Sequence, residues 1–310
     1  MVAADHTGMS GCGYMTRTVK MAFQFMEEEH MYHEKIIYPG NENVYLECFV
    51  LDGAVKLGLE TKRPAVIVCP GGGYVYLSPR EGEPVAMAYA AKGFHAFVLH
   101  YGIRYEAAGY APQAQLDWAV GLLRQKADEW QIAEHKIFTC GFSAGGHLAM
   151  SQALFGKNGP DGVILGYPAV NLKAKEAAFL LKLLAGKQDL SDADLKYADL
   201  SVQVTKEAPP LFVFTTAEDA LTCRASIELA GAYAAQGLPC ELHIFQKGPH
   251  GYALANEATA DGAVSNLNPQ VEKWHELSVR WVLDVTGGLE FRDISTSHIM
   301  EAIQEMGIHL

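Results

Sequence analysis

The stretch FTCGFSAGGHLAM, residues 138–150, places glycines at 141, 145 and 146 around a single serine, between two apolar runs. Few chains can accommodate that pattern. The apolar run before it reads as a buried strand and the run after it as a buried helix, so the glycines must supply a turn too tight for side chains. A strand that passes directly into a helix is the repeating unit of a sheet covered by helices on both faces.

The rest of the chain repeats that rhythm. PAVIVCP (64–70) is a short apolar run ending in three glycines, the signature of a buried strand that meets a loop. EPVAMAYAAKG reads as a helix closed by Gly93, FHAFVLHY as a strand, and APQAQLDWAVGLLRQKADEW as a long amphipathic helix with Pro112 near its start. GVILGYP, PLFVFTT and CELHIFQ are further strands, with RASIELAGAYAAQG a helix before the last of them and PQVEKWHELSVRWVLDV a closing helix. Regular strands are expected from NVYLECFVL onward. The expected architecture is one α/β domain over 35–285 with a mainly parallel central sheet. Residues 171–208 break the rhythm with KEAAFLLKLLAG and a charged run, and are expected to form a small helical cap insertion. Residues 1–34 read as an extension of uncertain role, and 286–310 as a tail.

In a parallel sheet, ligands gather at the carboxyl ends of the strands, so chemistry is sought in the loops there. Gly141-Phe142-Ser143-Ala144-Gly145 fits G-x-S-x-G, a turn that holds a serine hydroxyl over the sheet edge at a helix N-terminus. A hydroxyl needs a base to become a nucleophile. His250, in the glycine-flanked loop FQKGPHGYAL after the last strand, is the candidate. His147 lies one helical turn from Ser143 and is read as a residue that steadies the turn; His100 and His243 are read as structural. Glu218 and Asp219 follow the penultimate strand, and either can orient the base. Asp219 is preferred for its shorter side chain. The amides of Gly72 and Gly73 in CPGGGY, joined by that of Ala144, are placed to meet an oxyanion at about 3 Å. Tyr74, Tyr76 and Tyr252 flank these turns as candidate walls of a substrate pocket.

Ser143, Asp219 and His250 occur in the order of the α/β-hydrolases. The ordered segments CPGGGY, GFSAGGHLA, GYPAVNL, APPLFVFTTAEDALT and ELHIFQKGPHGYALA resemble the acetylxylan esterase-like and lipase/esterase-like carbohydrate acetyl esterases of that superfamily, over about residues 35–285. The resemblance implies an α/β-hydrolase fold and a serine esterase that removes a short acyl group, acetyl foremost, from a sugar or other small alcohol. It assigns Ser143 as nucleophile, His250 as base, Asp219 as acid, and Gly72, Gly73 and Ala144 as oxyanion donors. It calls for no cofactor and no metal. The alternatives on these residues are a serine peptidase or amidase of the same fold, and a non-catalytic binding protein. That group commonly carries valine-proline after the acidic turn, where this chain has Leu221-Thr222-Cys223-Arg224.

Composition narrows the partners. A formal charge of -12 disfavours nucleic acid. No run is long and apolar enough for a membrane helix, and the opening residues lack the marks of a secretory signal. Six scattered cysteines without a C-x-x-C pair fit reduced thiols and a cytoplasmic setting. A small-molecule ester, such as an acetylated oligosaccharide, is the expected partner. Self-association is left open. EEEHMYHE brings His30 and His33 near glutamates but not in the H-E-x-x-H order of a zinc hydrolase.

Overall fold

A computed structural model describes residues 31–51, 62–173, 177–288, 300–301 and 304–305. Its strands are β1 (Tyr32–Tyr38), β2 (Asn41–Val50), β3 (Arg63–Cys69), β4 (His95–His100), β5 (Ile132–Phe142), β6 (Gly162–Gly166), β7 (Leu211–Thr216) and β8 (Cys240–Phe245). They form one sheet in the order β1-β2-β4-β3-β5-β6-β7-β8. β2 pairs antiparallel with β1 and β4, and every pairing from β4 through β8 is parallel.

The helices are α1 (Glu83–Ala90), α2 (Ala111–Gln125), α3 (Ala144–Phe155), α4 (Ala178–Ala185), α5 (Asp192–Leu195), α6 (Cys223–Gln236) and α7 (Lys273–Val285). Side chains alternate across β3: Ala65, Ile67 and Cys69 join a cluster with Leu116 and Leu123 of α2 and Leu148 of α3, whereas Val66 and Val68 pack with Val85 of α1 and Val282 of α7. Both faces of the sheet are thus buried at its centre, which explains why its central strands read as continuous apolar runs. No helix among the described residues is long and apolar enough to cross a membrane.

β1 is the strand that sequence patterning passes over. Its run YHEKIIY is largely exposed at the sheet edge, so it lacks the apolar alternation of a half-buried strand. The sheet therefore starts at Tyr32, inside the segment read as an extension; residues 1–30 lie outside the described residues, as does most of the tail. The insertion between β6 and β7 carries α4, α5 and a 3₁₀ turn at Ser201–Gln203. Leu180, Leu181 and Leu184 of α4 are buried in the same cluster as Tyr74 and Ala144. Tyr197, just beyond α5, stacks on Tyr110 with ring centroids 4.0 Å apart.

Candidate active site

The register of β3 against β5 sets Cys69 beside Gly141, so the triple-glycine turn and the serine turn leave the sheet side by side. Their closeness explains the glycines. A Cβ on Gly145 would stand 2.1 Å from the Cys69 carbonyl oxygen, and one on Gly141 would stand 2.2 Å from the Gly145 carbonyl oxygen. Ser143 has φ 51° and ψ -115°, a conformation that costs about 1–3 kcal/mol for a residue with a side chain. Three backbone hydrogen bonds hold it there: Ser143 N–H donates to the Gly166 carbonyl (3.1 Å), and the Ser143 carbonyl accepts from Ala169 N–H (2.9 Å) and His147 N–H (3.1 Å).

Three loops bring their side chains together. His250 Nε2 lies 2.9 Å from Ser143 Oγ, and His250 Nδ1 lies 2.8 Å from Asp219 Oδ2. Burial alone would raise the Asp219 pKa. The His250 hydrogen bond and charge, with donors from Thr222 and Leu221, outweigh it and hold the carboxyl below its usual range. An ionised Asp219 only accepts, so Nδ1 carries the ring proton and Nε2 is free to accept from the serine hydroxyl. Between the two acidic candidates the geometry separates the roles. Asp219 meets the histidine, while Glu218 accepts from Gly248 N–H (3.1 Å) and steadies the loop that carries it. Thr216 Oγ1 donates to the Gly248 carbonyl (2.6 Å), and Arg80 donates to the Gly251 carbonyl (2.7 Å).

The amides of Gly72, Gly73 and Ala144 have no acceptor among the described residues. Gly72, at φ 117°, would bring a Cβ to 2.2 Å from the Tyr76 carbonyl oxygen, so the turn tolerates only glycine there. Ala144 opens α3, where the first N–H groups lack helical partners and the dipole favours negative charge. Three unengaged donors, a nucleophile and a base on one sheet edge suit acyl transfer through a tetrahedral oxyanion.

His147 is excluded as the base. It is fully buried; its Nε2 donates to the Tyr197 carbonyl and its Nδ1 accepts from Tyr74 Oη, both at 2.9 Å. Burial pushes its pKa down to about 4. It ties the elbow helix α3 to the triple-glycine turn and the inserted segment. Two of the expected pocket walls are corrected. Tyr74, at φ 57°, turns into the core and is fully buried, and Tyr252 is buried against Tyr167 and Phe214, so neither exposes surface to a substrate. Tyr76 stays half exposed beside the turn. His100 and His33 both bond to the buried Glu47 at 3.1 Å, His243 pairs with Glu241, and His30 lies outside the described residues.

Sequence reasoning missed three residues of this network: Glu81, Tyr167 and Thr222. Thr222 donates from Oγ1 to Asp219 Oδ2 at 2.6 Å. Tyr167 packs edge-on against His250, with ring centroids 5.1 Å apart. Only Thr222 left a local signal, a hydroxyl three residues past the acid.

Comparison with known proteins bears on the family and the fold. The BD-FAE family model matches residues 51–232. An endo-1,4-beta-xylanase B from Butyrivibrio fibrisolvens is 31% identical over 66% of this chain and 34% of its own length. An acetylxylan esterase from Xylanibacter ruminicola is 26% identical over 61% of this chain and 41% of its own length. The chain thus spans about a third to two fifths of these curated relatives. Among solved structures, MGS-M1, an α/β hydrolase enzyme from a Medee basin deep-sea metagenome library, is 33% identical with a TM-score of 0.72, over 84% of this chain and 99% of that one.

Proposed function

The chain belongs to the BD-FAE family and has the α/β-hydrolase fold, and on that premise we propose that it hydrolyses short-chain carboxylic esters, acetyl esters of sugars foremost, through an acyl-enzyme on Ser143. The observation that carries the proposal is the unbroken chain from Asp219 through His250 to Ser143 Oγ. Ser143 Oγ attacks the ester carbonyl as His250 Nε2 takes its proton. Asp219 stabilises the imidazolium, and the amides of Gly72, Gly73 and Ala144 stabilise the oxyanion. Collapse of the intermediate breaks the carbon–oxygen bond, and His250 returns the proton to the leaving alcohol. Water, activated by the same histidine, then attacks the acyl-enzyme and releases acid and free serine.

The acetyl preference is supported by the acetylxylan esterase among the relatives. A panel of acyl esters from acetyl to octanoyl, acetylated xylo-oligosaccharides and aminoacyl arylamides tests it. The expected result is highest kcat/KM on acetyl esters and no turnover of arylamides. Preferential arylamide cleavage would make the protein an amidase of the same fold.

A further inference from the structure

Glu81 ends the 3₁₀ turn Pro79–Glu81, just beyond the triple-glycine turn, and is buried. Its Oε2 accepts from Gly71 N–H at 2.9 Å, and its Oε1 accepts from Tyr167 Oη at 2.6 Å. Tyr167 Oη in turn accepts from Ala253 N–H at 2.9 Å, three residues past His250. A Cβ on Gly71 would stand 2.7 Å from Glu81 Oε2 and 3.1 Å from Ser143 Cβ, so one glycine separates the carboxylate from the serine. The neighbouring Arg80 turns to Gly251, Thr259 and Asp261, and no cation pairs with Glu81 among the described residues.

We propose that Glu81 is a positioning residue: a single buried carboxylate that fixes the triple-glycine turn and, through Tyr167, the His250 loop in register with Ser143. The inference rests on the function proposed above. A buried carboxylate without a cation is costly, and negative charge beside a developing oxyanion opposes catalysis. What it contributes is therefore geometry. Charge-assisted acceptors are shorter and stronger than neutral ones, and here both oxygens must accept. Gly71 N–H can only donate, and Tyr167 Oη already accepts from Ala253, so its hydrogen must go to Glu81. A glutamine of the same shape offers one acceptor and one donor, leaving one contact donor-to-donor. Neither contact touches substrate, so the loss falls on kcat and not on KM.

The test compares wild type, Glu81→Gln, Tyr167→Phe and the double variant, each checked for folding by circular dichroism. Two readouts are used: the rate at which a fluorophosphonate labels Ser143, and kcat and KM on p-nitrophenyl acetate. Glu81→Gln is expected to lower the labelling rate and kcat by about 10- to 100-fold, since small misplacement of reacting groups costs up to about 100-fold. KM should stay within about threefold. Tyr167→Phe should lose less, and the double variant should lose little beyond Glu81→Gln, because both act along one chain. Wild-type rates in Glu81→Gln, a loss confined to KM, or a double variant that multiplies the two single losses overturns the proposal. Should Glu81→Gln fail to fold, Tyr167→Phe decides alone, and an unchanged labelling rate overturns it. An unlabelled wild-type chain would instead refute the function on which it rests.

Discussion

Asp219→Asn exchanges one oxygen for an amide nitrogen without changing volume, and the structure dictates where that nitrogen goes. Four donors converge on the Asp219 carboxylate. Oδ1 accepts from the backbone N–H groups of Leu221 (3.1 Å) and Thr222 (3.3 Å), and Oδ2 accepts from Thr222 Oγ1 (2.6 Å) and His250 Nδ1 (2.8 Å). Backbone amides cannot accept, so the asparagine oxygen must take the Oδ1 place and its nitrogen the Oδ2 place. The Thr222 hydroxyl can rotate to accept. His250 Nδ1 can accept only by giving up its proton, which moves to Nε2 and faces Ser143 Oγ. The base is then in the wrong tautomer. The expected loss is about 10⁴-fold in kcat, or about 5.5 kcal/mol of transition-state stabilisation, with KM within about threefold. Hydrolysis of p-nitrophenyl acetate at neutral pH, with a thermal melt to show the variant is folded, measures both. A folded Asp219→Asn protein that keeps more than about a tenth of the wild-type kcat refutes the tautomer argument.

Desolvated histidines contribute to the acid stability. Burial pushes His95, His147 and His275 from the usual 6.5 down to about 4, and lowers His100 in the same direction. Between those values the unfolded chain binds protons that the folded chain does not. Stability should be full above pH 6.5 and be lost as pH falls to about 4, with urea melts across that range showing a slope that approaches three protons. His275→Phe should flatten the slope by about one proton, since His275 Nε2 is buried without a partner among the described residues. Two glycine substitutions should move stability in opposite directions. Gly145→Ala drives a Cβ into the Cys69 and Pro70 carbonyls and should cost more than about 3 kcal/mol or abolish folding. Gly231→Ala, within α6 and with open space at its Cβ, should stabilise by up to about 1 kcal/mol in the same urea assay. Tyr74→Phe leaves His147 Nδ1 buried without a donor and should cost about 1–3 kcal/mol in the same melts.

What could be read in the sequence divides along physical lines. The central parallel strands were legible because burial on both faces makes them continuous apolar runs, and the serine turn because close backbone approach at Gly141 and Gly145 demands glycine. Ser143, Asp219 and His250 were legible as strand-end residues in a fixed order. β1 was not, because an exposed edge strand such as YHEKIIY carries no burial pattern. Tyr74 and Tyr252 were misread because a turn residue's side chain points wherever its backbone sends it. A φ of 57° at Tyr74 sends the ring into the core. Glu81 was invisible for a different reason: its partners, Gly71 and Tyr167, lie 10 and 86 positions away, and only the tertiary fold joins them.

The central claim is that Ser143 carries the acyl group. The direct measurement is to mix the protein with p-nitrophenyl acetate, quench with acid before turnover is complete, and map the acetyl adduct by peptide mass spectrometry. The adduct is expected on Ser143 in wild type and nowhere in Ser143→Ala, whose hydrolysis should fall to background. Acetyl on another residue, or undiminished hydrolysis by Ser143→Ala, would contradict it.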